Sequence, residues 1–226
     1  ENINRMETIR EDNMRRAGMM TGTATTKTPI TWLSYNVHGN EAVSSEASMM
    51  TLWSLIDPAH SDTKAWLQNN LVVIDPCINP DGRDRYVNWY NQKMNIRLQP
   101  DPQSIEHNEP WPGGRANHYL FDLNRDWAWQ TQKESQQRIE LYNQWMPQLH
   151  LDFHEQGVDS PYYFAPAAEP LHHQLSPFQH EFQETFGWNT AKYFDQNDWF
   201  YFTKESFDLL YPSYGDTWPM YNGAIG

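Results

Sequence analysis

Leu71-Val72-Val73-Ile74-Asp75 is the stretch that most restricts the fold. It is a short, continuous apolar run rich in β-branched residues, too brief for a stable helix. A strand of this kind is buried on both faces and therefore needs packed layers above and below it. Pro76 and then Asn79-Pro80-Asp81-Gly82 stop it with turn chemistry. Two more segments read as strands. Pro29-Ile30-Thr31-Trp32-Leu33-Ser34-Tyr35 is β-branched and aromatic, and Gln148-Leu149-His150-Leu151-Asp152-Phe153-His154 alternates. Between and after them, residues 42–56 carry Val43, Ala47, Met50, Leu52 and Leu55 at mostly helical spacing, and 131–146 and 170–194 also read as helices. Strands alternating with helices predict an α/β domain of three layers, with a mixed, mainly parallel sheet flanked by helices.

A chain of 226 residues can bury one such core. Residues 1–18 are polar and predict a short exposed helix, and 21–28 form a linker of small polar residues. The expected organisation is an N-terminal helix and linker over 1–28 and one main domain over 29–226. Residues 91–120, with four prolines and Gly113-Gly114, predict a long surface loop, and the tail from Tyr211 is loop-like.

A formal charge of -13 argues against a nucleic-acid partner, which would want a basic face. No apolar stretch approaches the roughly 20 residues that span a bilayer. Cys77 is the only cysteine, so neither an internal disulfide nor a thiolate metal site is available. The 11 Trp and 12 Tyr must sit in a core or line a cleft. The chain begins Glu1-Asn2-Ile3, which reads as processed or shortened, and the location stays open, with an extracellular or periplasmic one favoured.

Asn36-Val37-His38-Gly39-Asn40-Glu41 follows the first strand and sets an imidazole and a carboxylate three residues apart. Both are ordinary zinc donors, and a catalytic zinc site takes three protein ligands. In open α/β sheets ligands bind beyond the carboxyl ends of the strands. His154, at the end of its strand, would lie on the same rim. His150 is a rival in the same phase but further from the strand's end. With nine His in the chain, a lone His-x-x-Glu could arise by chance, and His38 alone could be a surface turn residue. Asp122-Leu123-Asn124-Arg125 places an amide beside a guanidinium, a pair suited to gripping a carboxylate. Asp122 could orient a metal-bound histidine. Taken alone, the same residues could be a solvated loop with a local ion pair.

His38-Gly39-Asn40-Glu41, Asn79-Pro80-Asp81-Gly82, Asp122-Leu123-Asn124-Arg125 and His154, in that order, resemble the zinc carboxypeptidases, the family of carboxypeptidases A and B. The resemblance covers roughly residues 29–226. It implies that His38, Glu41 and His154 bind one zinc ion and that Asn124 and Arg125 hold a substrate's terminal carboxylate. It also implies an arginine that stabilises the oxyanion, best matched by Arg115, with Arg83 and Arg85 as rivals. Tyr211, ahead of Tyr214 and Tyr221, matches the mobile tyrosine that closes over substrate. The implied reaction is hydrolysis of a peptide bond next to a free C-terminal carboxylate by zinc-activated water, in a monomer.

The family's base is a glutamate on a strand past the tyrosine segment, and the chain stops at Gly226 before one. The expectation is therefore a C-terminally incomplete domain, with weak metal binding and little or no turnover. Glu155 is a poor stand-in, because adjacent strand residues point to opposite faces. Two other readings remain: a related zinc amidohydrolase that deacylates an N-acyl amino acid, and a non-catalytic relative that binds peptide or glycan. Side-chain preference stays open, since either Asp216 or Gly215 could form the base of the pocket.

Overall fold

The computed structural model describes residues 2–226. Its centre is a parallel three-stranded sheet in the order β2-β1-β3, with β1 Ile30–Tyr35, β2 Leu71–Asp75 and β3 Leu149–Phe153. Ile225 adds a parallel bridge to Leu149 on the far side of β3. Helices α1 Asn2–Arg16, α2 Val43–Ile56, α3 Ser61–Asn69, α4 Pro80–Lys93 and α5 Lys133–Trp145 surround the sheet. Beyond β3 come β4 Tyr162–Tyr163, β5 Ala168–Leu171, helix α6 Pro177–Gln196, β6 Tyr201–Phe202, β7 Asp208–Leu209 and a short α7 Thr217–Tyr221. β4 pairs with β6 and β5 with β7, both parallel. No described helix is long and apolar enough to cross a membrane.

All three expected strands form, but their places in the sheet differ from the simplest reading. β1 is the buried central strand, while β2 lies at the edge with Val72 to Asp75 only half-buried. β2 reads as a doubly buried strand from its apolar run, but at the edge α2 and α3 pack against it and leave most of it half-buried. The main core lies against β1 and β3 on the α5 side, where Trp32, Trp127, Ile139, Tyr142 and Trp218 form one aromatic cluster. Such rings contribute about 0.5–1.5 kcal/mol per pair beyond the area they bury.

Three helices depart from expectation. α1 is docked as well as exposed: Ile9 packs with Ile30 and Leu71, and Asn13 Nδ2 donates to the carbonyls of Trp145 and Met146. α2 turns the opposite face to the sheet from the one its apolar spacing suggests. Ser44 and Ser48 are buried, while Val43, Met50 and Leu52 are exposed. Serine lets the helix approach closely, and the Ser44 hydroxyl accepts from Asn36 N and donates to the Phe153 carbonyl, tying α2 to the ends of β1 and β3. Asn79-Pro80-Asp81-Gly82 starts a helix where a turn was expected. Asn79 caps α4 by accepting from Gly82 N, and Pro80 takes the first helical position, where its missing N–H is harmless.

That capping residue also positions the site. Asn79 Nδ2 donates to the carbonyl of Val37 at 3.2 Å and to that of Arg115 at 3.1 Å. Three glycines meet around it. A Cβ on Gly39 would lie 2.2 Å from the Arg83 nitrogen, and one on Gly82 would lie 2.3 Å from the Gly114 carbonyl oxygen. Only glycine lets the His38 turn, the start of α4 and the Gly113-Gly114 loop interlock at this separation. Arg85 strengthens the lock by donating to the carbonyls of Gly113, Ala116 and Asn117.

Candidate metal centre

β1 ends at Tyr35, and Asn36, in the left-handed region at φ 61°, turns the chain. Its side-chain amide donates to the carbonyls of His38 and Glu41, both at 2.9 Å, and so fixes the turn that carries both residues. The turn brings His38 Nδ1 to 2.8 Å from Glu41 Oε1. His154, just past β3, brings its Nδ1 to 3.0 Å from Glu41 Oε2. The Glu155 backbone N–H donates to the same oxygen at 3.0 Å. Ligand atoms of His38, Glu41 and His154 all lie within 4.8 Å of one another. Donors about 2.0–2.2 Å from a tetrahedral zinc lie about 3.4 Å apart, so this triangle needs little adjustment to close on the ion. Two imidazoles and a carboxylate, without a thiolate, are the donor chemistry of a catalytic zinc site. The residues fit the metal.

Each imidazole meets a further carboxylate. His38 Nε2 lies 3.2 Å from Asp122 Oδ1, and His154 Nε2 lies 2.8 Å from Asp152 Oδ2. Asp122 also accepts from Arg115 Nε at 3.0 Å. Burial opposes ionisation of Glu41, but hydrogen bonds from His154 and His38 outweigh it and pull its carboxyl down to about 2. Asp122 shows the same contest between burial and His38 and falls well below the usual carboxylate range. His154 goes the other way: burial disfavours its charged form, but Asp152 and Glu41 raise its pKa well above the ordinary value.

The other expected residues gather on this rim to different degrees. Arg115 is exposed, with a terminal nitrogen 4.0 Å from Glu41 Oε1. Arg83 reaches away to Glu46 on α2 at 2.6 Å, and Arg85 is occupied by loop carbonyls, so of the three arginines only Arg115 reaches Glu41 and Asp122. Asn124 Oδ1 accepts from Gly215 N at 2.8 Å, which fixes the amide with Nδ2 3.4 Å from His154 Nε2. The Arg125 guanidinium lies over the Tyr214 ring, 4.5 Å from its centroid. Tyr211 is exposed, its ring 5.6 Å from that of Tyr214 and 6.3 Å from that of Trp129. Tyr221 is elsewhere, donating to the Leu210 carbonyl. His150 lies outside the cluster, 1% exposed, with Nε2 2.9 Å from the Ser34 hydroxyl. Glu155 sits beside the site, but its Oε1 accepts from Val43 N at the start of α2. Gly215 packs against Asp152, and burial pushes the Asp216 carboxyl up to about 6.

Asp152 is a contact that motif reading passes over, and Tyr214, a rival to Tyr211 in the sequence, instead lies under the Arg125 guanidinium. Asp152 had a signal: it lies two residues before His154, hence on the same face of the strand.

A sheet whose strand ends gather two histidines and a glutamate, with an Asn-Arg pair on the rim, defines a metallopeptidase-type centre. The family model described as zinc carboxypeptidase matches residues 7–184, and the chain belongs to that family, which uses zinc. Solved structures agree in fold. A Shewanella denitrificans OS-217 protein assigned as carboxypeptidase A has a TM-score of 0.61 at 20% identity, with 85% of this chain and 45% of that one covered. A Burkholderia cenocepacia metallo-carboxypeptidase has a TM-score of 0.60 at 16% identity, covering 92% and 48%. Carboxypeptidase A from Helicoverpa armigera has 0.51 at 18% identity, covering 87% and 50%. The chain thus spans about half the length of the structures it matches. Curated proteins give no match.

Proposed function

We propose that the protein hydrolyses the peptide bond next to a free C-terminal carboxylate, with His38, Glu41 and His154 holding one zinc ion. When bound there, zinc supplies Lewis-acid activation of water and of the scissile carbonyl. The chain's own residues select and orient the substrate. Arg125 uses one nitrogen on the Asn124 carbonyl at 2.9 Å and leans its face on Tyr214, which leaves the rest of the guanidinium fork for a carboxylate. Asn124 has its oxygen committed to Gly215, so its amide hydrogens face the site. Arg115 stands next to the metal ligands, where a guanidinium stabilises charge developing on the carbonyl oxygen. Asp122 joins His38 and Arg115 through its two oxygens and sets their separation. Tyr211, exposed and resting on neighbouring rings, closes over the bound end of the peptide.

The observation that carries this reading is the convergence itself: Asp122 touches both a ligand and Arg115, and Asn124 touches both the second histidine and the Gly215 backbone. The test compares a short peptide, its C-terminal amide and an N-acyl amino acid as substrates, with chelation and zinc restoration as controls. In the full-length protein the free peptide should be cleaved, and Arg125→Ala should lower its kcat/KM by about 10- to 100-fold, the value of a charge-assisted hydrogen bond of about 1.5–3 kcal/mol. Equal cleavage of the amide would refute C-terminal selection. Faster turnover of the N-acyl amino acid would assign the centre to deacylation.

A further inference from the structure

We propose that Asp152 is a positioning residue of the metal centre: it holds the His154 ring so that Nδ1 faces Glu41 and Nε2–H faces the protein. This rests on the metal-centre reading and extends it to a residue outside the family's motifs as they occur in this sequence.

The two histidines are treated alike. His38 is held between Glu41 at Nδ1 and Asp122 at Nε2, and His154 between Glu41 at Nδ1 and Asp152 at Nε2. In both, Nδ1 is the inward atom and a carboxylate stands behind the ring. A carboxylate behind a metal-bound imidazole fixes its tautomer and orientation and raises its basicity. Asp152 is built for that place. Its side chain is only 3% exposed, whereas the His154 side chain is 26% exposed and has room to turn. One Asp152 oxygen is committed to His154, and the other, Oδ1, is buried with no hydrogen-bond partner. A buried carboxylate with a single partner is expensive to maintain for packing alone.

The surroundings hold the carboxylate in place. Gly215 offers no side chain where Asp152 sits, since a Cβ there would be 2.1 Å from Oδ2. The Gly215 N–H is committed to Asn124 Oδ1, so the same backbone step that makes room for Asp152 also fixes the amide beside His154. With Nε2–H given to Asp152, Asn124 Nδ2 at 3.4 Å is left as a donor with no acceptor on the ring. It is therefore available to a ligand in the site.

The experiment uses the full chain with two readouts: zinc affinity by competition with a chromophoric chelator, and the low-field Nε2–H resonance of His154 in 15N-histidine-labelled, zinc-loaded protein. Asp152→Ala should weaken zinc by about 10- to 100-fold and remove the low-field resonance. Asp152→Asn keeps the shape but not the charge and should weaken zinc measurably while the fold, followed by circular dichroism, is kept. If Asp152→Ala does not fold, the Asn variant carries the test. Zinc affinity within twofold of the parent in the folded variants, or a resonance that persists in Asp152→Ala, overturns the proposal. His154→Ala separates the two levels of inference. If it binds zinc as tightly as the parent, the metal-centre reading fails. If it loses zinc while the Asp152 variants do not, only the positioning role fails.

Discussion

Gly215→Ala is the sharpest perturbation available, because it adds one methyl group at a place where the consequence is set by distance. Gly215 is buried, and the added Cβ would lie 2.1 Å from Asp152 Oδ2, 2.7 Å from its Cγ and 3.0 Å from Trp127 Nε1. Its φ is not in the left-handed region, so the cost is steric and not torsional. Ordinary contact starts at 3.4 Å, so Oδ2 must retreat by about 1.3 Å. A retreat directed away from the ring would stretch its 2.8 Å bond to His154 to as much as about 4 Å, beyond hydrogen-bond range. Overpacking of this kind costs about 1–3 kcal/mol, and separating a buried carboxylate from its partner adds about 1–3 kcal/mol. Equilibrium denaturation of the metal-free protein should therefore show a loss of about 2–6 kcal/mol, which most domains stable by about 5–15 kcal/mol can survive folded. Zinc affinity should fall with it. A variant within about 0.5 kcal/mol of the parent and unchanged in zinc affinity would show that Asp152 does not occupy the space described.

Asn79→Ala removes a helix cap and two buried donations, to Val37 and Arg115, and should cost about 2–4 kcal/mol by denaturation, with zinc affinity reduced because the His38 turn loses its anchor. Glu155→Gln, in contrast, alters a carboxylate spent on the start of α2; it should leave zinc affinity within twofold and cost under about 1 kcal/mol, and loss of peptide hydrolysis in this variant would make Glu155 the base against the expectation. His150 supplies a pH effect away from the ligands. Burial lowers its pKa to about 4 from 6.5, so as pH falls between those values the unfolded chain takes up a proton that the folded chain refuses, and stability drops. Denaturation at pH 7 and pH 4.5 should show the parent losing about 2 kcal/mol more than His150→Gln, and equal losses would contradict a buried neutral imidazole.

Much of this was legible in the residues, and what was not has a physical reason. The three strands announce themselves because β-branched runs bounded by Pro, Gly and Asn have few other uses. Their order does not, since pairing is decided between segments far apart in the chain, and β2 reads as buried on both faces although it lies half-buried at the edge. The spacing predicts the α2 helix but not the face it turns to the sheet. Its buried face is made of Ser44 and Ser48, and a close approach between helix and strand selects small side chains over apolar ones. The site divides in the same way. His38, Glu41, Asn124 and Arg125 lie in short motifs and could be found singly, and the structure brings them to one rim. Asp152 carries only a weak local signal, its place two residues before His154, and what makes room for it beside the ring is a glycine 63 residues later.

Asn79-Pro80-Asp81-Gly82 shows why a segment without obvious chemistry can accompany a metal centre. None of its side chains belongs to the cluster of His38, Glu41 and His154. Asn79 instead bonds the backbone just before His38 and the backbone of Arg115, the two loops that must meet for a ligand and the arginine to share Asp122. Pro80 starts α4 without leaving an unpaired donor, and Gly82 lets the Gly114 carbonyl pass close by. The segment acts as a spacer whose tolerance is set by backbone contact. Larger residues at Gly39, Gly82 or Gly114 would therefore damage the centre as surely as loss of a ligand, while leaving all three ligands in the sequence.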